Sequence, residues 1–219
     1  MINERLTEIY EILFERFGEQ NWWPGDTPFE IIIGAILTQN TSWSNVERAI
    51  SNLKSNNLLS AAKLHNLERP SLAELIRPAG YFNIKAKRLK NFLNWLFDEY
   101  AGSLENLREV CTSVLREELL GVNGIGRETA DSILLYAFER PCFVVDTYTF
   151  RMALRHGLID PDTDYEQLKD LFQSNLPEDV YLFNEYHALL VRLGKDFCKT
   201  KPLCESCPLN KLPHNIENQ

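Results

Sequence analysis

Three sets of side chains in this 219-residue chain are of the type and spacing to do chemistry. The first is one aspartate, Asp146, in the run CFVVDTYTF, after an apolar pair and before a helical pattern. An acid in that place is a common helix N-cap, and the N–H donors of a helix start favour its ionised form. An ionised carboxylate can also stabilise positive charge developing on a substrate and orient an attacking water. The second set is aromatic: Trp22-Trp23-Pro24 precedes the apolar run FEIIIGAIL, and Thr38-Gln39-Asn40-Thr41-Ser42-Trp43 follows it. Each indole taken singly suits core packing or a hydrophobic staple, while its face is also the best aromatic partner for a cation. The third set is Cys198, Cys204 and Cys207, separated by five and two residues. In a chain without an export signal this spacing points to metal or cluster ligation rather than disulfides. Cys111 and Cys142 stand alone in apolar runs and read as small buried hydrophobes.

Helices must position these groups. Leu6, Ile9, Leu13 and Phe17 recur at the spacing of one helix face, as do Leu104, Leu107, Cys111, Val114 and Leu115. FEIIIGAIL is apolar nearly all round and predicts a helix at the centre of a bundle. No run sustains period-two alternation, and Gly- and Pro-marked breaks cut the chain into roughly ten helices, so the fold class is all-α. In LREELLGVNGIGRETADSILLYAF, Gly124-Ile125-Gly126 joins two helices. Such glycines allow a sharp turn and a close backbone approach, and with the following helix start they form a nest suited to a phosphate. The same three residues alone would also suit an ordinary helix–helix turn.

Composition narrows the function classes. With 44% hydrophobic and 25% charged residues, and only 10 Gly and 10 Pro, the chain is a packed globular protein. No apolar run is long enough to span a membrane and the start, MINERLTEIYEILFERFG, is amphipathic, so a soluble, cytoplasmic protein is expected. A net charge of −8 argues against broad adhesion to nucleic-acid phosphates, though not against a local basic face. Lys85, Lys87, Arg88 and Lys90 bunch in NIKAKRLKN, which on charge alone reads as a solvated helix face.

The motifs FEIIIGAILTQNT, IRPAGYFNIKAKRL, the glycine hairpin, FVVDTYTFR and the terminal cysteines occur in one order. Together they resemble the endonuclease III-like helix-hairpin-helix (HhH-GPD) DNA glycosylase superfamily. The resemblance implies two interwoven helical lobes with an active cleft between them. One is a six-helix barrel carrying the hairpin, over residues 23–137; the other, over 1–22 and 138–219, is built from both chain ends. It implies double-stranded DNA with a damaged base as partner, a monomer, no membrane, and a base flipped out of the stack. Asp146 matches the catalytic aspartate. Gly124, Ile125, Gly126, Arg127 and Thr129 would contact DNA, and Gln39, with Asn40 beside it, would fill the gap left by the flipped base.

The WWP segment and the TQNT run followed by an aromatic are most similar to the 3-methyladenine DNA glycosylase subgroup. An alkylated purine is cationic, so Trp23 and Trp43 are stacking candidates, with Trp22, Pro24 and Tyr148 as walls. Adenine-mismatch glycosylases carry a glutamate where this chain has Ala35, which disfavours that branch. Bifunctional relatives place a lysine after the hairpin, where Glu128 stands here at the edge of the pocket. A carboxylate cannot form a Schiff base, so a monofunctional glycosylase is expected. Its rivals are an endonuclease III-type glycosylase/lyase for oxidised pyrimidines, a non-catalytic hairpin module, and, remotely, an iron-sulfur electron carrier.

Relatives commonly hold a [4Fe-4S] cluster with four cysteines. Here Pro213 stands in the fourth place and His214 follows. A cluster with another fourth ligand, a zinc site completed by His214, and a loop without metal all remain open.

Overall fold

The computed structural model describes residues 1–215; the end of the second expected lobe, residues 216–219, lies outside the described residues. In chain order the α-helices are α1 (Ile2–Phe17), α2 (Pro28–Leu37), α3 (Trp43–Ser55), α4 (Ala61–Asn66), α5 (Arg69–Leu75) and α6 (Phe82–Tyr100). They continue with α7 (Leu104–Arg108), α8 (Thr112–Gly121), α9 (Arg127–Ser132), α10 (Thr147–Arg155), α11 (Tyr165–Gln173) and α12 (Val180–Asp196). A π-helical turn, Ile133–Ala137, extends α9. There is no strand among the described residues, and no described helix is long and apolar enough to cross a membrane.

The chain divides into two compact units: Met1–Trp23 with the chain from Pro141 onward, and Pro24–Arg140. In the continuous unit α2 is the central element. Thr27 caps it through its side-chain oxygen, Pro28 occupies the first turn where no N–H is needed, and Ile32, Ile33, Ala35, Ile36 and Leu37 are all buried. It packs against α3, α6, α9 and the π turn, so an apolar surface on every side is what its position requires. Each of its fully buried Ile or Leu side chains contributes about 1.5–3 kcal/mol relative to exposure.

The other unit is organised by α12, which packs on α10 and α1. Leu6, Ile9 and Leu13 of α1 are buried, and Tyr186 of α12 donates its hydroxyl to the Leu6 carbonyl at 2.8 Å. Phe143 stacks on Phe172 at 4.3 Å and meets Phe183 edge-on, giving this unit an aromatic core. Asp164 and Gln167 form a reciprocal capping box at the start of α11.

Two sequence expectations need correction. The stripe from Leu104 to Leu115 is two helices, because Cys111 takes an extended N-cap conformation between them. Cys111 is therefore exposed rather than buried, and Val114 is 48% exposed. NIKAKRLKN is not a uniformly solvated face. Lys85 is 1% exposed and donates to the Ala79 carbonyl at 2.7 Å, with burial, then Arg88, lowering its pKa to about 8. Lys90 donates to the Leu64 and His65 carbonyls, which leaves Lys87 as the outward lysine. Four-residue periodicity places side chains on a helix face, but does not reveal which carbonyl ends lie opposite.

Candidate active site

The glycine turn is held from several directions. Helix α8 ends at Gly121, and the Ile125 N–H returns to the Val122 carbonyl at 3.0 Å. Ile125 is buried, while Asn123, Gly126, Arg127 and Glu128 are exposed. Gly124 has φ +104°, and a Cβ there would lie 2.3 Å from Arg88 Cγ, so both its backbone and its surroundings require glycine. Arg88 in turn donates to Gln39 Oε1. The Gln39 amide donates to the Gly124 carbonyl at 3.0 Å and to Thr129 Oγ1 at 2.9 Å. Thr129 is thus a buried support of the turn, and Gln39 is tied to the hairpin. Across the hairpin base, Arg116 of α8 forms a two-pronged pair with the fully buried Asp131 of α9, at 2.7 and 3.1 Å.

Asp146 is the N-cap of α10. Its Oδ1 accepts from Tyr148 N at 2.9 Å, Thr149 N at 2.8 Å and Thr149 Oγ1 at 2.9 Å. Its side chain is 11% exposed, and Oδ2 lies 3.7 Å from Nε2 of His187, which projects from α12. Burial pushes the Asp146 carboxyl up, but His187 and the Thr149 donors outweigh it, so its pKa lies below the ordinary carboxylate value. The ionised form therefore adds stability that is complete above the unfolded pKa and is lost as pH falls through the lower folded value.

The same helix fixes the aromatics of this unit. Glu185, 2% exposed, accepts the Gln20 N–H at 2.8 Å and the Asn21 N–H at 3.1 Å, which sets the chain path into Trp22 and Trp23. The two indoles meet edge to face at 5.8 Å, and the Lys195 ammonium lies 5.7 Å from the Trp22 ring. Gly194 lets Tyr148 lie directly on α12, since a Cβ at 194 would stand 2.2 Å from that ring.

In the continuous unit, Trp43 donates its indole N–H to Glu47 at 2.9 Å. With Pro24, Asp26, Glu30 and Lys54 these residues line an open depression of about 470 Å³. Lys54 bridges Asp26 and Glu30, both at 2.7 Å. Asn40 is exposed in a left-handed conformation, φ 54°. Asp146, Tyr148, Trp22 and Trp23 thus belong to one unit, and Pro24, Gln39, Asn40, Trp43 and the hairpin to the other.

Sequence reasoning missed His187, Glu185, Arg88 and Tyr81. Tyr81 is 69% exposed in a left-handed conformation at the start of α6. A histidine and a glutamate within the apolar run LFNEYHALLV were signals of buried polar work, since such groups need partners.

Cys198, Cys204 and Cys207 line one small cavity of about 20 Å³, room for about one water, with Arg155, His156 and His214. Burial, then the neighbouring thiols Cys198 and Cys204, pushes the Cys207 thiol up. The loop is held by protein: Arg155 donates to Cys198 Sγ at 3.3 Å and to the Lys199 carbonyl at 2.7 Å. His156 Nδ1 lies 3.0 Å from the Pro213 carbonyl oxygen, and exposed His214 has Nδ1 2.9 Å from that of Leu212. Among the described residues no three His, Cys, Asp or Glu side chains form a group able to hold a metal ion. Three thiols with a proline in the fourth place do not fit a four-thiolate cluster.

The chain thus carries a glycine hairpin between two helices and a capped, ionised aspartate on an all-helical fold. The chain belongs to the HhH-GPD superfamily of base-excision DNA repair proteins, whose family model matches residues 33–178. It is 51% identical over 209 residues to a Methanocaldococcus jannaschii protein provisionally named a DNA repair glycosylase, covering 95% of each chain. It superposes on an H. pylori 3-methyladenine DNA glycosylase bound to 1,N6-ethenoadenine with TM-score 0.75 and 30% identity. That match covers 89% of this chain and 97% of the other. With an endonuclease III trapped as a covalent intermediate with DNA the TM-score is 0.82 at 23% identity, over 96% and 94% of the two chains. This second likeness establishes the endonuclease III type of helical fold.

Proposed function

We propose that the protein is a monofunctional DNA N-glycosylase that removes an alkylated, cationic purine from duplex DNA by water attack and leaves an abasic site. The observation that carries the proposal is the state of Asp146. Its Oδ1 is saturated by three donors, and the carboxyl is kept ionised despite burial. The other oxygen, Oδ2, takes no bond from the cap and lies 3.7 Å from His187 Nε2, and it is the oxygen this mechanism turns toward the sugar. A flipped nucleotide losing its base develops an oxocarbenium-like sugar, and a fixed carboxylate stabilises that charge far better than water does. The water oxygen bonds to the anomeric carbon, the carbon–nitrogen bond breaks with its electron pair leaving on the base, and the water proton passes to solvent. A ring already positive needs no strong acid to leave, and the adjacent indoles Trp22 and Trp23, in the same unit as Asp146, are suited to stack on it.

Support for the alkylated substrate comes from the 30% identity to the H. pylori 3-methyladenine glycosylase. Support for the absence of a lyase step comes from Glu128, a carboxylate at the first turn of α9 in place of an amine. The hairpin grips the phosphate backbone, and the exposed ring of Tyr81 offers a surface to stack into the duplex. For Gln39 to fill the vacated stack, its amide must leave Gly124 and Thr129.

The test is a panel of duplexes carrying methylated purines, oxidised pyrimidines or mismatches, each split between hot alkali and neutral buffer. Breaks are expected only at methylated purines and only after alkali. Cleavage at oxidised pyrimidines without alkali would overturn the proposal in favour of an endonuclease III-type glycosylase/lyase. Binding without turnover would leave a hairpin module. In a separate assay, borohydride added during turnover is expected to trap no covalent protein–DNA adduct. Efficient trapping would mean that a lysine elsewhere supplies the amine.

A further inference from the structure

We infer that His187 is the positioning residue for Asp146: from a buried place on α12 it faces the one carboxylate oxygen that α10 leaves unused, and keeps that oxygen charged and aimed. The inference rests on the assignment of Asp146 as the catalytic carboxylate. It comes from an asymmetry between the two oxygens. Oδ1 takes two backbone N–H groups and the Thr149 hydroxyl, all from the helix it caps. Those bonds fix the side chain along α10 but do nothing directly for Oδ2. The nearest charged or polar partner of Oδ2 is His187 Nε2, at 3.7 Å, on a different helix. The imidazole is 5% exposed and Asp146 is 11% exposed on its side chain, so their interaction is little screened by water.

Several other charged groups on the surrounding helices are engaged elsewhere. On α12, Glu185 binds the Gln20 and Asn21 N–H groups, Arg192 pairs with Asp196, and the Lys195 ammonium lies by the Trp22 ring. On α10, Arg151 donates to the Cys198 carbonyl and Arg155 to the Cys198 sulfur and the Lys199 and Thr200 carbonyls. On α1, Arg5 donates to the His156 carbonyl, and Tyr10 feels Glu185. His187 and Thr149 are the side chains that lower the Asp146 pKa against the effect of burial. Thr149 acts along the cap. His187 acts across the helix pair, where packing of α10 on α12 sets the distance.

Removing the imidazole leaves burial opposed only by the cap donors, so the carboxyl becomes harder to ionise. In His187→Gln the acid limb of the single-turnover rate is expected to move up by about one pH unit, so that at pH values below the wild-type carboxyl pKa excision is about ten-fold slower relative to wild type, while at pH 8 the two rates match. The Asp146 carboxyl, followed by carbon-13 NMR through an acid titration of the intact protein, is expected to move by the same amount. That second readout does not depend on turnover. If Asp146→Asn keeps its activity, the catalytic assignment fails while the titration still reports on His187. A carboxyl titration unmoved in a folded His187→Gln protein overturns the inference, and His187→Asn replaces it should the glutamine variant not fold. A moved titration with an unmoved rate profile also overturns the role in the reaction.

Discussion

Asparagine in place of Asp146 is expected to slow base excision by about 10³-fold or more while leaving the protein folded and able to bind DNA. The change separates the two duties of the residue. Asparagine caps helix starts about as well as aspartate, and its oxygen can still accept from Tyr148 N and Thr149 N. What disappears is the negative charge. Its favourable interaction with the helix start is worth about 0.3–1 kcal/mol, or a fall in Tm of about 1–4 °C. The catalytic cost is larger because a charge formed in the transition state meets a neutral amide at a site that is 11% exposed. Single-turnover rates at saturating enzyme, with Tm and duplex affinity measured on the same preparation, check the separation. A rate within ten-fold of wild type would remove Asp146 from the mechanism. A large loss of Tm would instead show that the amide cannot replace the acid as a cap.

The second large effect is expected at the hairpin. Gly124→Ala places a Cβ 2.3 Å from Arg88 Cγ and 3.0 Å from its Cβ, on a backbone with φ +104°. The conformation alone costs about 1–3 kcal/mol for a residue with a side chain. The clash lies at the root of Arg88 rather than at its mobile end, so rotating the guanidinium does not relieve it. Moving Arg88 breaks its bond to Gln39, and with it the support of the Gly124 carbonyl and Thr129. A Tm about 5–10 °C lower and a duplex affinity at least about ten-fold weaker are expected, with the catalytic rate on bound DNA much less affected. Gly121→Ala is the control: nothing lies within 4 Å of a Cβ there, and residue 121 is still within α8, where alanine is a better helix former than glycine. In Arg88→Ala/Gly124→Ala the steric part is relieved and the backbone part is not, so the double variant should lose less than the sum of the singles. Strict additivity would show that Arg88 is not what the new methyl meets.

The helical class and the central, all-apolar α2 were legible in the sequence because helix periodicity and burial are local in origin. The hairpin and the capped Asp146 were legible for a similar reason: turn and cap chemistry are written in adjacent residues. The stripe through Cys111 misled because two short helices can continue one another's pattern across a break. The lysines of α6 misled because a charged side chain on a helix face says nothing of what lies at its tip. Lys85 reaches the Ala79 carbonyl and Lys90 two carbonyls at the end of α4, and no local pattern records those partners.

By itself, the sequence determined that this chain is a helical member of its superfamily, with an aspartate at a helix start, a glycine turn, a pair of adjacent indoles and an incomplete cysteine set. It also determined that Glu128, not a lysine, follows the turn. Only the tertiary structure decided which oxygen of Asp146 is spoken for and that His187 faces the other. It likewise decided that Glu185 holds the approach to Trp22 and that Gln39 is fastened to the hairpin. Those relations join residues 41 to 165 positions apart in the chain, so they come from the packing of one helix on another, which sequence spacing does not encode.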